Sequence, residues 1–117
     1  MKKEMKKYIE ERPWGKFEQF CQNEIVTVKI LLLNPNQELS LQYHLNRDEF
    51  WRIIDGNAII RIGDETKIGK KGDEFFIKRE TNHQIIAQDK TVSILEIAFG
   101  EFNELDIIRI SDKYNRV

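Results

Sequence analysis

The chain has 117 residues, with 19 Lys or Arg against 20 Asp or Glu, a net charge of −1 and 40% hydrophobic residues. That balance excludes a nucleic-acid binder resting on a basic excess, and the length allows one domain with a real core. A single cysteine, Cys21, excludes an internal disulfide framework and fits a reducing, cytoplasmic setting. No apolar run approaches the roughly 20 residues that cross a bilayer, and the start MKKEMKKYIEERP lacks a signal peptide's apolar centre.

In chain order, residues 2–11 read as a charged tail or a short helix ahead of Pro13. Residues 12–117 read as one domain, and the pattern there turns to strands. Residues 25–33 (IVTVKILLL) are β-branched and aliphatic and end on the turn cluster Asn34-Pro35-Asn36. Further strands are expected at 39–44, 49–54, 58–62, 74–77, 83–88, 92–99 and 107–110. Turn signals separate them: Asp55-Gly56, Gly63-Asp64, Lys71-Gly72-Asp73 and Gln88-Asp89-Lys90. Short, closely spaced strands without helices between them predict an all-β sandwich or barrel.

The chemistry concentrates in Gln42-Tyr-His-Leu-Asn-Arg-Asp-Glu49. Gln42 and His44 share one face of a strand. If Asn46-Arg47 is a two-residue hairpin turn, His44 faces Glu49 and Gln42 faces Trp51 across the ladder. The same inward face then continues through Trp51 and Ile53 to Ala58, Ile60 and Ile62. A second strand opens with His83, whose face also carries Ile85 and Ala87. These two histidines are the only ones in the chain. Two imidazoles, a carboxylate and an amide oxygen suit Zn²⁺, Mn²⁺, Fe²⁺, Co²⁺ or Ni²⁺ better than Ca²⁺ or Mg²⁺. Read from the residues alone, the same side chains serve equally well as solvated strand positions. Glu96 interrupts an apolar strand, and periodicity does not say whether it faces the interior or solvent. Trp14 and Trp51 read as core or pocket wall, and Cys21 has no activating context.

At these residues the chain resembles the cupin superfamily. The first cupin motif runs Gly, five residues, His-x-His, three or four residues, Glu, six residues, Gly. Asn36, Gln42-x-His44, Glu49 and Gly56 keep every gap of it. The second runs Gly, five residues, Pro-x-Gly, two residues, His, three residues, Asn; Gly72, Lys78-x-Glu80, His83 and Ala87 follow its spacing. RPWGKF, LSLQYH with Arg47, Glu49 and Trp51, and the tail GEFNELDIIRISDKYNR are similar to one subfamily. It is the C-terminal cupin domain of type II phosphomannose isomerases, often fused behind a mannose-1-phosphate guanylyltransferase.

The resemblance implies a jelly-roll barrel (a double-stranded β-helix), commonly dimeric, with one divalent metal ion held by Gln42, His44, Glu49 and His83. It implies interconversion of mannose 6-phosphate and fructose 6-phosphate, with Arg47 and Lys29 as catalytic cations and Arg12 and Arg109 as weaker phosphate contacts. Arg109 equally suits an ion pair with Asp106 or Asp112. The alternatives are a non-catalytic sugar or sugar-phosphate binding module, or another metal-dependent cupin enzyme such as a dioxygenase or sugar epimerase. The expected partners are a small sugar phosphate and a second copy of the chain, with no nucleic acid or membrane. Several positions depart from the family. Asn36 replaces a glycine, Lys78 and Glu80 replace the Pro and Gly of the second motif, and Leu45, Asn46 and Phe50 stand where histidines are usual. No nucleotidyltransferase pattern is present, so guanylyl transfer is not expected of these residues.

Overall fold

The structure is a computed structural model covering residues 5–116. Among these residues the regular elements are all strands. In order they are β1 (Tyr8–Arg12), β2 (Gly15–Gln19), β3 (Val26–Leu33), β4 (Leu41–Tyr43), β5 (Asp48–Asp55), β6 (Ala58–Ile62), β7 (Glu65–Gly69), β8 (Glu74–Ile77), β9 (His83–Ala87), β10 (Val92–Phe99) and β11 (Ile108–Ser111). They form a β1-β2 hairpin, a four-stranded sheet β3-β10-β5-β8 and a five-stranded sheet β11-β4-β9-β6-β7, every pairing antiparallel. No helix of the described residues is long and apolar enough to cross a membrane.

Alternation along the strands decides what lies inside. In the four-stranded sheet Glu49, Trp51 and Ile53 of β5 stand opposite Ala98, Glu96 and Ile94 of β10. Leu33, Leu31 and Lys29 of β3 stand opposite Val92, Ile94 and Glu96 on the same face. In the other sheet His83, Ile85 and Ala87 of β9 stand opposite Ile62, Ile60 and Ala58 of β6. The apolar members of these rows pack into one cluster that includes Trp51, Ile53, Ile60, Ile85, Val92 and Ile94. Each of those side chains buried in full stabilises the fold by about 1.5–3 kcal/mol. The polar members, Lys29, Glu49, His83 and Glu96, gather at the other end of the interior. The strands therefore run from an apolar floor to a polar mouth.

Gly56 makes the corner by which the chain leaves β5 for β6. Its φ is +83°, and a Cβ there would meet the Thr91 carbonyl oxygen at 2.5 Å, so both backbone and space demand glycine.

Two expectations change here. The segment expected to be a tail or short helix instead supplies β1, paired in register with β2 from Tyr8↔Gln19 to Arg12↔Gly15; residues 1–4 lie outside the described residues. Lys7 pairs with Glu18 of β2 and with Glu74 of β8, both at 2.8 Å, and the second pair ties this arm to the barrel. The outward side chains Phe50, Ile97 and Phe99 form a second cluster beneath Met5, Phe20 and Cys21. The other change concerns β4 and β5, which do not form a hairpin. β4 pairs with β9 and β11, β5 pairs with β10 and β8, and residues 44–47 carry the chain between the sheets.

Candidate metal centre

That crossing is held from three sides. The Asp106 carboxylate accepts the N–H groups of Leu45 (2.8 Å) and Asn46 (3.0 Å). The Glu80 N–H donates to the His44 carbonyl at 2.6 Å, and the Arg79 N–H donates to Asp48 Oδ1 at 2.7 Å. His44 is thereby fixed at the edge of one sheet, opposite Glu49 at the start of a strand in the other. His83 joins them from β9, where it pairs with Gln42 of β4.

His44, Glu49 and His83 are 2%, 1% and 1% exposed, and one ligand atom from each lies within 4.8 Å of the other two. Glu49 Oε1 is 3.3 Å from His83 Nε2 and 3.6 Å from His44 Nε2. The outer nitrogens fix the tautomers. His44 Nδ1 lies 2.6 Å from the Asp106 carbonyl oxygen and His83 Nδ1 lies 2.9 Å from the Thr81 carbonyl oxygen. A carbonyl only accepts, so each Nδ1 carries a proton, and in the neutral ring it is Nε2 that turns its lone pair toward the site. Glu49 Oε1 and His83 Nε2 have no hydrogen-bond partner despite complete burial. The His83 lone pair and an anionic oxygen facing one another with no donor between them are a mismatch that a cation resolves. Burial lowers the His44 pKa, against the charge of Glu49, and so favours the neutral form that ligates. Burial raises Glu49, but His83, His44 and Arg47 outweigh it and hold the carboxyl below its ordinary value.

Gln42 is placed beside His83 by the ladder, with its Oε1 accepting from the Ser40 hydroxyl at 2.6 Å. Arg47 is not a solvated hairpin tip. It is 7% exposed; its Nε donates to Glu49 Oε2 at 3.1 Å, an Nη1–H donates to the Asn103 carbonyl, and Nη2 lies 3.2 Å from His44 Nε2.

A cavity of about 220 Å³ opens above these groups, lined among others by Lys29, Gln42, Arg47, Glu49, Glu96 and Arg109. Lys29 faces inward opposite Glu96. Arg109 stands opposite Gln42, with its Nε buried and unpartnered. The ion pair considered for Arg109 goes elsewhere, since Asp112 pairs with Arg116 at 2.7 Å and Asp106 caps the crossing. Arg12 is not brought to the cavity; it lies on the arm, paired with Glu10 and stacked on Phe17. Trp14 is likewise no pocket wall, being 72% exposed, whereas Trp51 is fully buried with its ring edge-on to His83.

One lining residue escaped the sequence reading and another was left open by it. Phe102 lies beneath both cations, 4.1 Å from Lys29 Nζ and 4.4 Å from Arg47 Cζ. No local pattern marks it, because the loop of residues 100–107 reaches the mouth only through the fold. Glu96, left undecided by its strand, faces inward and accepts the Trp51 indole N–H at 3.1 Å.

Comparison with known proteins agrees with this architecture. The family described as "Mannose-6-phosphate isomerase C-terminal" matches residues 1–112. A mannose-1-phosphate guanylyltransferase of Salmonella montevideo is 35% identical over 107 residues, 90% of this chain and 23% of that protein. The corresponding match to mannose-1-phosphate guanylyltransferase 2 of Escherichia coli O157:H7 is 31% over 105 residues, 88% of this chain. The chain thus spans about a fifth of the curated relatives it matches, 22% and 23% of these two. Among solved structures, a double-stranded β-helix domain protein of Klebsiella pneumoniae superposes with a TM-score of 0.65 at 17% identity, covering 78% of each chain. With residues 1–112 matched and the strands wound into two facing antiparallel sheets, the chain belongs to the mannose-6-phosphate isomerase C-terminal family, whose fold here is a cupin double-stranded β-helix.

Proposed function

We propose that the chain is a divalent-metal-dependent aldose–ketose isomerase that interconverts mannose 6-phosphate and fructose 6-phosphate. The observation that carries this reading is the convergence of three buried donors, two of them unpartnered, at the foot of a cavity lined by Lys29, Arg47 and Arg109. His44, Glu49 and His83 would hold the ion, with Gln42 as the fourth donor. The mixed nitrogen and oxygen set suits Zn²⁺, Mn²⁺, Fe²⁺, Co²⁺ or Ni²⁺. Bound there, such an ion supplies an electrophile for the negative charge that develops on the sugar oxygens.

The chain's own residues supply binding and charge. Arg47, Lys29 and Arg109 present donors to the phosphate and to the oxyanion of the open-chain sugar. Arg47 engages the same His44 lone pair that a cation takes, so loading the site makes its Nη2 available to an oxyanion. Phe102 under the two cations keeps their charged ends over an apolar surface, where water competes less with an anion. Arg12 has no part in this reading. We take the working form to be a cytoplasmic homodimer.

The test is a coupled assay of mannose 6-phosphate isomerisation before chelation, after chelation and after adding back each of the five metals. Activity lost on chelation and restored by at least one metal is the expected result. No turnover with any metal, with millimolar substrate still bound by calorimetry, would overturn the reading in favour of a binding module.

A further inference from the structure

The site still lacks a group that can take a proton from carbon. His44 and His83 keep their Nδ1 protons on carbonyl oxygens and turn Nε2 into the donor set, with Glu49 Oε1 between them. Arg47 is a guanidinium, which offers donors and no acceptor. The Lys29 ammonium lies over the Phe102 ring, a contact that depends on its charge. Glu104 lines the rim, but its side chain is 83% exposed. Glu96 is left. It is 8% exposed, it lines the cavity, and it stands between Lys29 on β3 and Trp51 on β5. One of its oxygens accepts the Trp51 indole N–H, which fixes the plane of the carboxyl.

We propose that Glu96 is the catalytic residue that carries the proton between C2 and C1 of the sugar phosphate, an assignment that rests on the isomerase reading above. The Glu96 carboxylate takes the C2 proton of the open-chain aldose. The C2–H electron pair becomes the C1=C2 bond, and the carbonyl pair moves to O1. The protonated Glu96 then returns that proton to C1, while the O2 hydroxyl proton passes to O1 and C2=O forms. One proton moves from C2 to C1 and one from O2 to O1, with no oxidant or reductant. Burial, and next the charge of Glu49, raise the Glu96 pKa, against the Trp51 hydrogen bond and the charges of Lys29 and Arg47. A carboxylate made more basic in this way suits abstraction from carbon.

The experiment runs wild type, Glu96→Gln and, as a control on the exposed edge strand β7, Glu65→Gln in D₂O with mannose 6-phosphate and the metal that supports wild-type turnover. It reads kcat and deuterium entry at the transferred position. Metal stoichiometry and thermal unfolding midpoint are measured alongside. Glu96→Gln keeps an acceptor for Trp51, so it should fold and hold metal while kcat falls about 100-fold or more. Deuterium entry should fall with it, and Glu65→Gln should stay within about threefold of wild type. If Glu96→Gln does not fold, Glu96→Asp keeps the carboxylate but withdraws it by one methylene; a loss of about tenfold supports the assignment, and no loss overturns it. An active wild type with an equally active Glu96→Gln overturns the role of Glu96 alone. An inactive wild type overturns the isomerase reading and this assignment together.

Discussion

Asn36 and Glu80 stand at motif positions where the cupin pattern has glycine, and both keep the backbone that glycine would take, with φ of 63° and 66°. Asn tolerates the left-handed region well, whereas Glu pays about 1–2 kcal/mol for it. Glu80 is retained in that state beside the site, its N–H bound to the His44 carbonyl, so the loop before His83 survives the loss of both Pro and Gly. Glu80→Gly should therefore be neutral or stabilise by up to about 1 kcal/mol, since relief of strain exceeds the added freedom of the unfolded chain. Chemical denaturation measures this, and a loss of 1 kcal/mol or more would contradict it. At this scale the sequence was informative wherever a side chain had one plausible face. His44, Glu49 and His83 were legible because motif spacing fixed them. Glu96 was not, because β10 is buried on both sides: Ile94 and Ala98 face the interior while Ile97 and Phe99 lie under the arm. A strand covered on two faces shows no alternation.

Elements were legible by position more than by partner. The reading joined β4 and β5 as a hairpin, yet they lie in opposing sheets, and the three candidate donors still meet. The spacing from His44 to Glu49 spans a short crossing as readily as a tight turn, and periodicity carries no information about which strand lies alongside. The tail or short helix expected near the N-terminus is a strand for a related reason. Lys- and Glu-rich segments favour helix locally, but here pairing with β2 and the Lys7 ion pairs decide the outcome. β7 was missed because its residues Glu65, Thr66, Lys67 and Ile68 are exposed and mostly polar. Those features protect an edge strand from unwanted pairing.

The whole molecule extends 50 × 36 × 23 Å, and β3 forms a free edge of its sheet. Its outward residues Val28, Ile30 and Leu32 are 56%, 65% and 65% exposed, a continuous apolar stripe on a strand paired along one edge alone. No polar residue of β3 interrupts that stripe, which is the arrangement proteins avoid at a sheet edge unless another surface covers it. The proposed homodimer accounts for it. Light scattering after gel filtration should give a dimer for wild type and a monomer for Ile30→Lys, both with the same strand content by circular dichroism; a monomeric wild type at about 50 μM would contradict the proposal.

The near-neutral charge of the chain conceals a local organisation in which three cations face a buried carboxylate and two imidazoles across one cavity. Metal bound at His44, Glu49 and His83 is the claim on which the functional reading depends. Metal content, measured by mass spectrometry on folded wild type and on the His44→Ala/His83→Ala double variant after equilibration with Mn²⁺ or Zn²⁺, tests it most directly. About one ion per wild-type chain and almost none in a double variant that still folds is the predicted result. Equal stoichiometry in both proteins would contradict the site.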